Sequence, residues 1–202
     1  MDIGGVVFLN TATEKDFTAM AKLFGSKIGI EPKILDSVRK DFLQESMTGK
    51  FTNKDYFSEV QKRVKINLPL DIEDIWIDTA SASIMVNHSL LEWVTKIRKT
   101  HKVYVFSTIS SLRFSLDTKL DIYKWFDGRY LSTEMGMTKS NPQFFTNVID
   151  ELKIEPTEAL LIDDQDKNIN QAKELGINAF KFEEKHFNDP VLFLKAMSGF
   201  GL

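Results

Sequence analysis

The sequence predicts an α/β protein: a parallel β-sheet covered by helices, interrupted by a long helical stretch. Two observations carry this. From about residue 14 to 99, apolar residues recur at helical spacing, whereas from about 102 onward short apolar, β-branched runs alternate with helical segments. Alternation of that kind builds parallel βαβ units, whose sheets are buried on both faces.

The elements follow in order. "MDIGGVVF" (residues 1 to 8) is an acid, a Gly-Gly turn and an apolar run. Phe17, Met20, Ala21 and Phe24 form one helical face, and Thr13 with Asp16 sits where an N-cap and its partner belong. A second helix carries Ile34, Leu35, Val38 and Phe42, and a third starts near Thr52 and carries Tyr56, Phe57, Val60 and Val64. Ser89 to Glu92 has capping-box spacing ahead of Leu90, Trp93, Val94 and Ile97. Then come the strand-like runs "KVYVFS", "RYLS", "ALLID" and "NAFKF". Between them, "NPQFFTNVIDEL" reads as a helix with Asn141 as N-cap and Pro142 at its first position, and "NINQAKELG" as one ended by Gly176.

Composition narrows the function classes. With 26 basic and 29 acidic residues, the formal charge of −3 argues against a broad basic face for nucleic acid. The absence of cysteine excludes disulfides and thiolate-bound zinc, and fits a cytoplasmic protein. No apolar run approaches the ~20 residues that span a bilayer, so no membrane partner is expected. The tryptophans (Trp76, Trp93, Trp125) are expected in the core, and the histidines (His88, His101, His186) show no metal-ligand spacing.

In open parallel sheets, ligands bind outside the carboxyl ends of the strands. Four polar groups fall there: Asp2 before its Gly-Gly turn, Ser107 and Thr108 after "VYVF", Lys139 before a helix, and Asp163 and Asp164 after "LLI". Three carboxylates on one rim repel one another, and a hard divalent cation such as Mg²⁺ resolves that. The hydroxyls of Ser107 and Thr108 suit phosphate oxygens, and Lys139 offers charge to a transferring phosphoryl group. A carboxylate nucleophile that forms an aspartyl-phosphate completes a phosphoryl-transfer site.

The order Asp, Ser-Thr, Lys, Asp-Asp resembles the haloacid dehalogenase (HAD) superfamily, in particular its phosphatase branch. "MDIGGVVF" is similar to the first motif and "VYVFSTIS" to the second, and residues Trp125 to Gly176 resemble the third and fourth with their connecting segments. The resemblance implies a Rossmann-like core over 1–13 and 91–202 with an inserted helical cap over 14–90. It implies Asp2 as nucleophile and Mg²⁺ ligand, with the Gly4 carbonyl, Asp163 and Asp164 also on the metal. Ser107, Thr108, Lys139, Gly4 and Gly5 would bind phosphate, Lys139 would also orient the nucleophile, and Asn168 would support the metal loop. The implied substrate is a small phosphorylated metabolite such as a sugar phosphate.

The chain departs from the family pattern in three places. The usual second Asp, the general acid two residues after the nucleophile, is Gly4 here. General acid–base help is worth roughly 10²–10⁴-fold, so its loss favours acyl, aryl or anomeric phosphates. Family members with Gly at this position include active sugar-phosphate phosphatases. Ser140 follows Lys139 where Pro is usual, a minor change. Only Met1 precedes Asp2, where a strand of about 5–6 residues is normal; this implies either a rudimentary first strand or a natural start further upstream. Two readings follow: a phosphatase working through a phosphoaspartyl intermediate, or a catalytically impaired relative that binds phosphate or a partner. Hydrolytic dehalogenation would leave the Asp163–Asp164 pair without a purpose, and a phosphomutase would need the missing second Asp.

Overall fold

The computed structural model describes residues 1–9 and 14–202, with only the backbone of 14–16. The expected cap formed by Thr13 and Asp16 therefore lies outside the described residues. Two parallel strand pairs make up the sheet. β1 (Tyr104–Ser107) pairs with β2 (Gly128–Leu131), and β3 (Leu160–Asp163) pairs with β4 (Asn178–Lys181). Each matches one of the apolar runs.

Met1 and Asp2 join the two pairs. The Phe106 N–H donates to the Met1 carbonyl at 2.8 Å, the Met1 nitrogen donates to the Tyr104 carbonyl at 2.9 Å, and the Asp2 N–H donates to the Ile162 carbonyl at 2.9 Å. Two residues thus occupy the central position of the sheet. Peptide direction alternates along a parallel ladder, so the N–H groups of Tyr104 and Ile162 also face the gap ahead of Met1. That gap is a cavity of about 510 Å³ lined by Met1, Trp93, Tyr104, Val148, Leu160 and Ile162. A chain carrying five extra apolar residues of strand pattern ahead of Met1 should melt about 5–10 °C higher, because they would bury apolar surface and pair those amides. An extension of five Gly and Ser residues should not. Differential scanning calorimetry of the two extended chains checks this.

After Asp2 the chain turns sharply. The Ile3 carbonyl accepts from the N–H groups of Val6, Val7 and Phe8, and the Gly5 N–H donates to the Phe8 carbonyl at 2.7 Å. The chain then enters α1 (Glu14–Ile28), α2 (Pro32–Asp41), α3 (Leu43–Met47), α4 (Asn53–Val64) and α5 (Ile72–Ser81). Thr52 caps α4 in a capping box with Asp55, as its spacing predicts. The outgoing and returning chains lie side by side: the Leu9 N–H donates to the Met85 carbonyl at 3.2 Å and the Asn87 N–H to the Val7 carbonyl at 2.8 Å. Phe24, Leu35, Val38, Tyr56, Val60 and Trp76 bury a second core among these helices, which Leu112 and Leu116 join from the later half of the chain.

The remaining helices cover the sheet: α6 (His88–Ile97), α7 (Ser111–Lys119), α8 (Ser132–Met135), α9 (Gln143–Leu152), α10 (Asp166–Glu174), α11 (Glu184–Asn188) and α12 (Pro190–Ser198). Two caps differ from expectation. Asn87, not Ser89, caps α6, its side chain accepting from the Leu90 N–H at 3.0 Å. At α9 the N-cap position falls to Pro142, while the Asn141 side chain accepts from the Gln143 N–H at 3.0 Å. At α6 Asn87 reaches a free amide of the first turn in place of Ser89, and at α9 the expected Asn141 still bonds a first-turn amide although the helix begins one residue later. Trp76 and Trp93 are buried as expected. Among the described residues no helix is long and apolar enough to cross a membrane.

Candidate active site

The ends of the two strand pairs and the Asp2 turn meet at one point. β1 ends in Ser107, whose hydroxyl donates to Asp2 Oδ1 at 2.6 Å. The Ile3 N–H donates to the same oxygen at 2.8 Å, and Lys139 Nζ lies 3.1 Å from it. All three groups meet Oδ1, so among the described residues Asp2 Oδ2 makes no hydrogen bond. β3 ends in Asp163, which lies 2.6 Å from Lys139 Nζ through Oδ2. Its Oδ1 accepts from Asn168 Nδ2 and from the Gln165 N–H, each at 2.9 Å.

Lys139 is fixed along its length. Its N–H donates to Thr108 Oγ1 at 3.0 Å, its carbonyl accepts from Gln171 Nε2 at 2.9 Å, and its ammonium sits 5.2 Å from the Phe106 ring centroid. Burial works against the ammonium's charge, but Asp2 and Asp163 outweigh it and hold the group above its ordinary value. Burial pushes the Asp2 carboxyl above the usual carboxylate range; Lys139 opposes the shift and Asp163 adds to it. Asp164 is pushed up to about 7 by burial and then by the charges of Asp2 and Asp163.

Asp2, Asp163 and Asp164 each place a carboxylate oxygen within 4.8 Å of the others. Asp164 Oδ1 is buried and has no hydrogen-bond partner. An all-oxygen donor set with a buried orphan oxygen fits a hard divalent cation of the Mg²⁺ type. Gly5, at φ +74°, lies so close to this cluster that a Cβ there would overlap the Asp164 carboxylate. Gly4 is the opposite case: a Cβ on it would meet nothing within 4 Å.

A cavity of about 650 Å³ runs from this cluster into the helical stretch. Asp2, Gly4, Thr108 and Lys139 line one end, and Phe42 and Trp76 are among the lining residues from the helices. The structure thus brings Asp2, Ser107, Thr108, Lys139, Asp163, Asp164 and Asn168 together, as the sequence order predicts. Ser107 stands behind Asp2, 1% exposed and bonded to it, rather than on the cavity wall. Three further residues were not legible as part of the site: Gln171, which holds Lys139, and Arg113 and Asp117 of α7. Gln171 carries no sequence signal, and that of Arg113 and Asp117 is only an i, i+4 charge pair, which is common on solvated helices.

The charge balance has a measurable consequence. Asp164 ionises near 7 when folded and near 3.8 when unfolded, so between those values the folded protein binds more protons. Its ionisation therefore costs stability as pH rises through that window, and the cost is complete above about 7. A cation at the cluster relieves it, but must displace a proton below that pH. The rise in Tm produced by Mg²⁺ should be large at pH 8 and small at pH 5.5, with apparent affinity falling about tenfold per pH unit below 7. Asp164→Asn should reduce the dependence, leaving the part that Asp2 carries, as thermal melts across that pH range would reveal.

The sequence matches the family described as "Haloacid dehalogenase-like hydrolase" over residues 37–182. It is similar to a D-ribitol-5-phosphate phosphatase of Bacteroides thetaiotaomicron, 33% identical over 101 residues, 46% of this chain and 48% of that protein. It is also similar to a flavin mononucleotide hydrolase of Arabidopsis thaliana, 22% identical over 122 residues, 58% of this chain and 50% of that protein. The chain spans about half the length of these curated relatives. A solved HAD family enzyme of Bacteroides thetaiotaomicron, in complex with magnesium, superposes with a TM-score of 0.69 at 25% identity, covering 90% of each chain.

Proposed function

Because the chain belongs to the haloacid dehalogenase-like hydrolase family, we propose that it is a Mg²⁺-dependent phosphatase of a small phosphorylated metabolite, working through a phosphoaspartyl intermediate on Asp2. The observation that carries this reading is the geometry of Asp2: one oxygen held by Ile3, Ser107 and Lys139, the other unbonded beside a cavity. A nucleophile needs that asymmetry, since the held oxygen orients the free one.

In this reading Asp2 Oδ2 attacks phosphorus. The bond to the leaving oxygen breaks with its electron pair on that oxygen, which takes a proton from solvent. Water then attacks phosphorus, the aspartyl P–O bond breaks, and phosphate leaves. Lys139 neutralises charge on the transferring group and holds Asp2 in place. Gly4 and Gly5 leave room for the phosphoryl oxygens, and Thr108 fixes the Lys139 backbone. Asp2, Asp164 and the Gly4 carbonyl would hold Mg²⁺, with Asp163 and Asn168 behind them. Bound there, Mg²⁺ supplies Lewis-acid charge to the phosphoryl oxygens. The helical stretch acts as a cap that limits water and selects the leaving group.

The substrate class follows from the relatives and from the cavity. Ribitol 5-phosphate and flavin mononucleotide, the compounds in the relatives' names, are both phosphate esters of a ribityl chain. Together with a cavity of about 650 Å³, they support a sugar or polyol phosphate. The test is hydrolysis of an aryl phosphate and of a panel of sugar phosphates with Mg²⁺. Turnover abolished by EDTA and restored by Mg²⁺ is expected. Mg²⁺-dependent phosphate binding with no turnover of any substrate would instead leave the impaired, binding-only reading that Gly4 motivates.

A further inference from the structure

Arg113 is a partly buried charged side chain, outside the carboxylate cluster, with a buried donor that has no partner among the described residues. It sits in the first turn of α7, where Ser110 caps the helix. Its Nε donates to Asp117, which is fully buried and also accepts from the Tyr123 hydroxyl at 3.4 Å. Its guanidinium lies 4.6 Å from the Phe8 ring centroid, just past the Asp2 turn. The side chain is thus held by an ion pair on one edge and an aromatic face on another. Yet neither terminal nitrogen makes a hydrogen bond among the described residues, and Nη2 is fully buried. A clamped guanidinium whose buried Nη2 lacks an acceptor is unfavourable unless something else takes its protons.

Arg113 lines the cavity that also holds Asp2, Gly4 and Lys139. A second group on the wall is in the same condition. Trp76, on α5, is 5% exposed, and its indole Nε1–H has no partner. α5 packs against α7. Both groups donate and neither accepts, so they call for oxygen acceptors. Asp117 already balances the Arg113 charge, which favours uncharged oxygens over a second anion.

We propose that Arg113, assisted by Trp76, is the specificity determinant of this site, binding hydroxyl oxygens of the leaving group and so selecting polyol and sugar phosphates over plain alkyl phosphates. This rests on the phosphatase reading of the Asp2 end. Arg113 serves recognition, and Asp117 is a positioning residue that acts through it.

Calorimetric titration of the Asp2→Asn protein with Mg²⁺ reads recognition without turnover. The probes are ribitol 5-phosphate, n-pentyl phosphate and phosphoglycolate. Ribitol 5-phosphate should bind most tightly. Adding Arg113→Met should weaken it roughly 10- to 100-fold while n-pentyl phosphate changes less than about twofold. Arg113→Lys, which keeps the charge but not the fork, should fall between, and Trp76→Phe should weaken ribitol 5-phosphate alone. Equal weakening of ribitol and pentyl phosphates by both Arg113 variants would mean a structural role and overturn the assignment. A loss confined to phosphoglycolate would also overturn it, in favour of a carboxylate site. If phosphate esters bind without any preference for hydroxyls, this inference falls alone. If no phosphate ester binds the Asp2→Asn protein and the unsubstituted protein turns none over with Mg²⁺, the phosphatase reading falls with it.

Discussion

Asp2→Asn is expected to lower Mg²⁺-dependent phosphatase activity roughly 10⁴-fold or more while leaving the fold intact. The amide keeps an acceptor for Ile3 and Ser107, so the turn that places residue 2 should survive. What disappears is the charged oxygen that would attack phosphorus and help to hold the metal. Stability should move the other way. Asp2 is buried beside Asp163 and Asp164, with Lys139 as the one buried cation bonded to the group among the described residues. Removing one negative charge relieves repulsion, and Lys139 keeps its contact with Asp163 at 2.6 Å. In metal-free buffer, Tm should not fall, and the rise produced by Mg²⁺ should shrink. A variant that keeps full activity, or that loses activity only because it unfolds, would remove Asp2 from the chemistry. Steady-state kinetics and thermal melts on the same preparation separate these outcomes.

Gly4→Asp is expected to raise activity. Gly4 lines the cavity, its φ is not in the left-handed region, and a Cβ there meets nothing within 4 Å. A carboxyl group fits that opening without displacing a neighbour. It would sit two residues after Asp2, the proposed nucleophile, placed to protonate the leaving oxygen and then to activate water. General acid–base catalysis of this kind contributes roughly 10²–10⁴-fold. The gain should concentrate on alkyl and sugar phosphates, whose leaving oxygens are strongly basic. Aryl phosphates, which leave readily without a proton, should gain little. The ratio of kcat/KM for a sugar phosphate to that for an aryl phosphate, before and after substitution, is the measurement. An equal gain on both would point to improved binding instead, and no gain on either would mean that the opening cannot position an acid. Gly5→Asp is a useful contrast, because its side chain would collide with Asp164.

Much of the fold could be read from the sequence. The four apolar runs became the four named strands. The helical faces around Val38, Val60, Val94 and Val148 became buried faces of helices, because period and burial are local properties that survive folding unchanged. The cap of α6 moved from Ser89 to Asn87 because caps depend on which side chain reaches an amide first, whereas at α9 the expected Asn141 kept its bond to the first turn. Within the site, Asp2, Lys139 and the Asp163–Asp164 pair were legible because their order along the chain is distinctive. Arg113 and Asp117 were not. A charged pair at i, i+4 gains its meaning only from burial, and burial here arises from Phe8 and Tyr123, residues distant in sequence from one another. The two-residue bridge was also hidden: nothing in "MD" reveals that its backbone bonds to Tyr104, Phe106 and Ile162 at once.

That bridge ties reactivity to cooperativity. Each strand pair can in principle form by itself, and Asp2 belongs to neither. It reaches its place only when both halves dock on the same short segment, with Phe106 on one side and Ile162 on the other. On the proposed reading, a half-folded chain therefore has no assembled nucleophile, however native its remaining helices. Amide exchange at Asp2 should accordingly report opening of the whole core rather than fraying of an end.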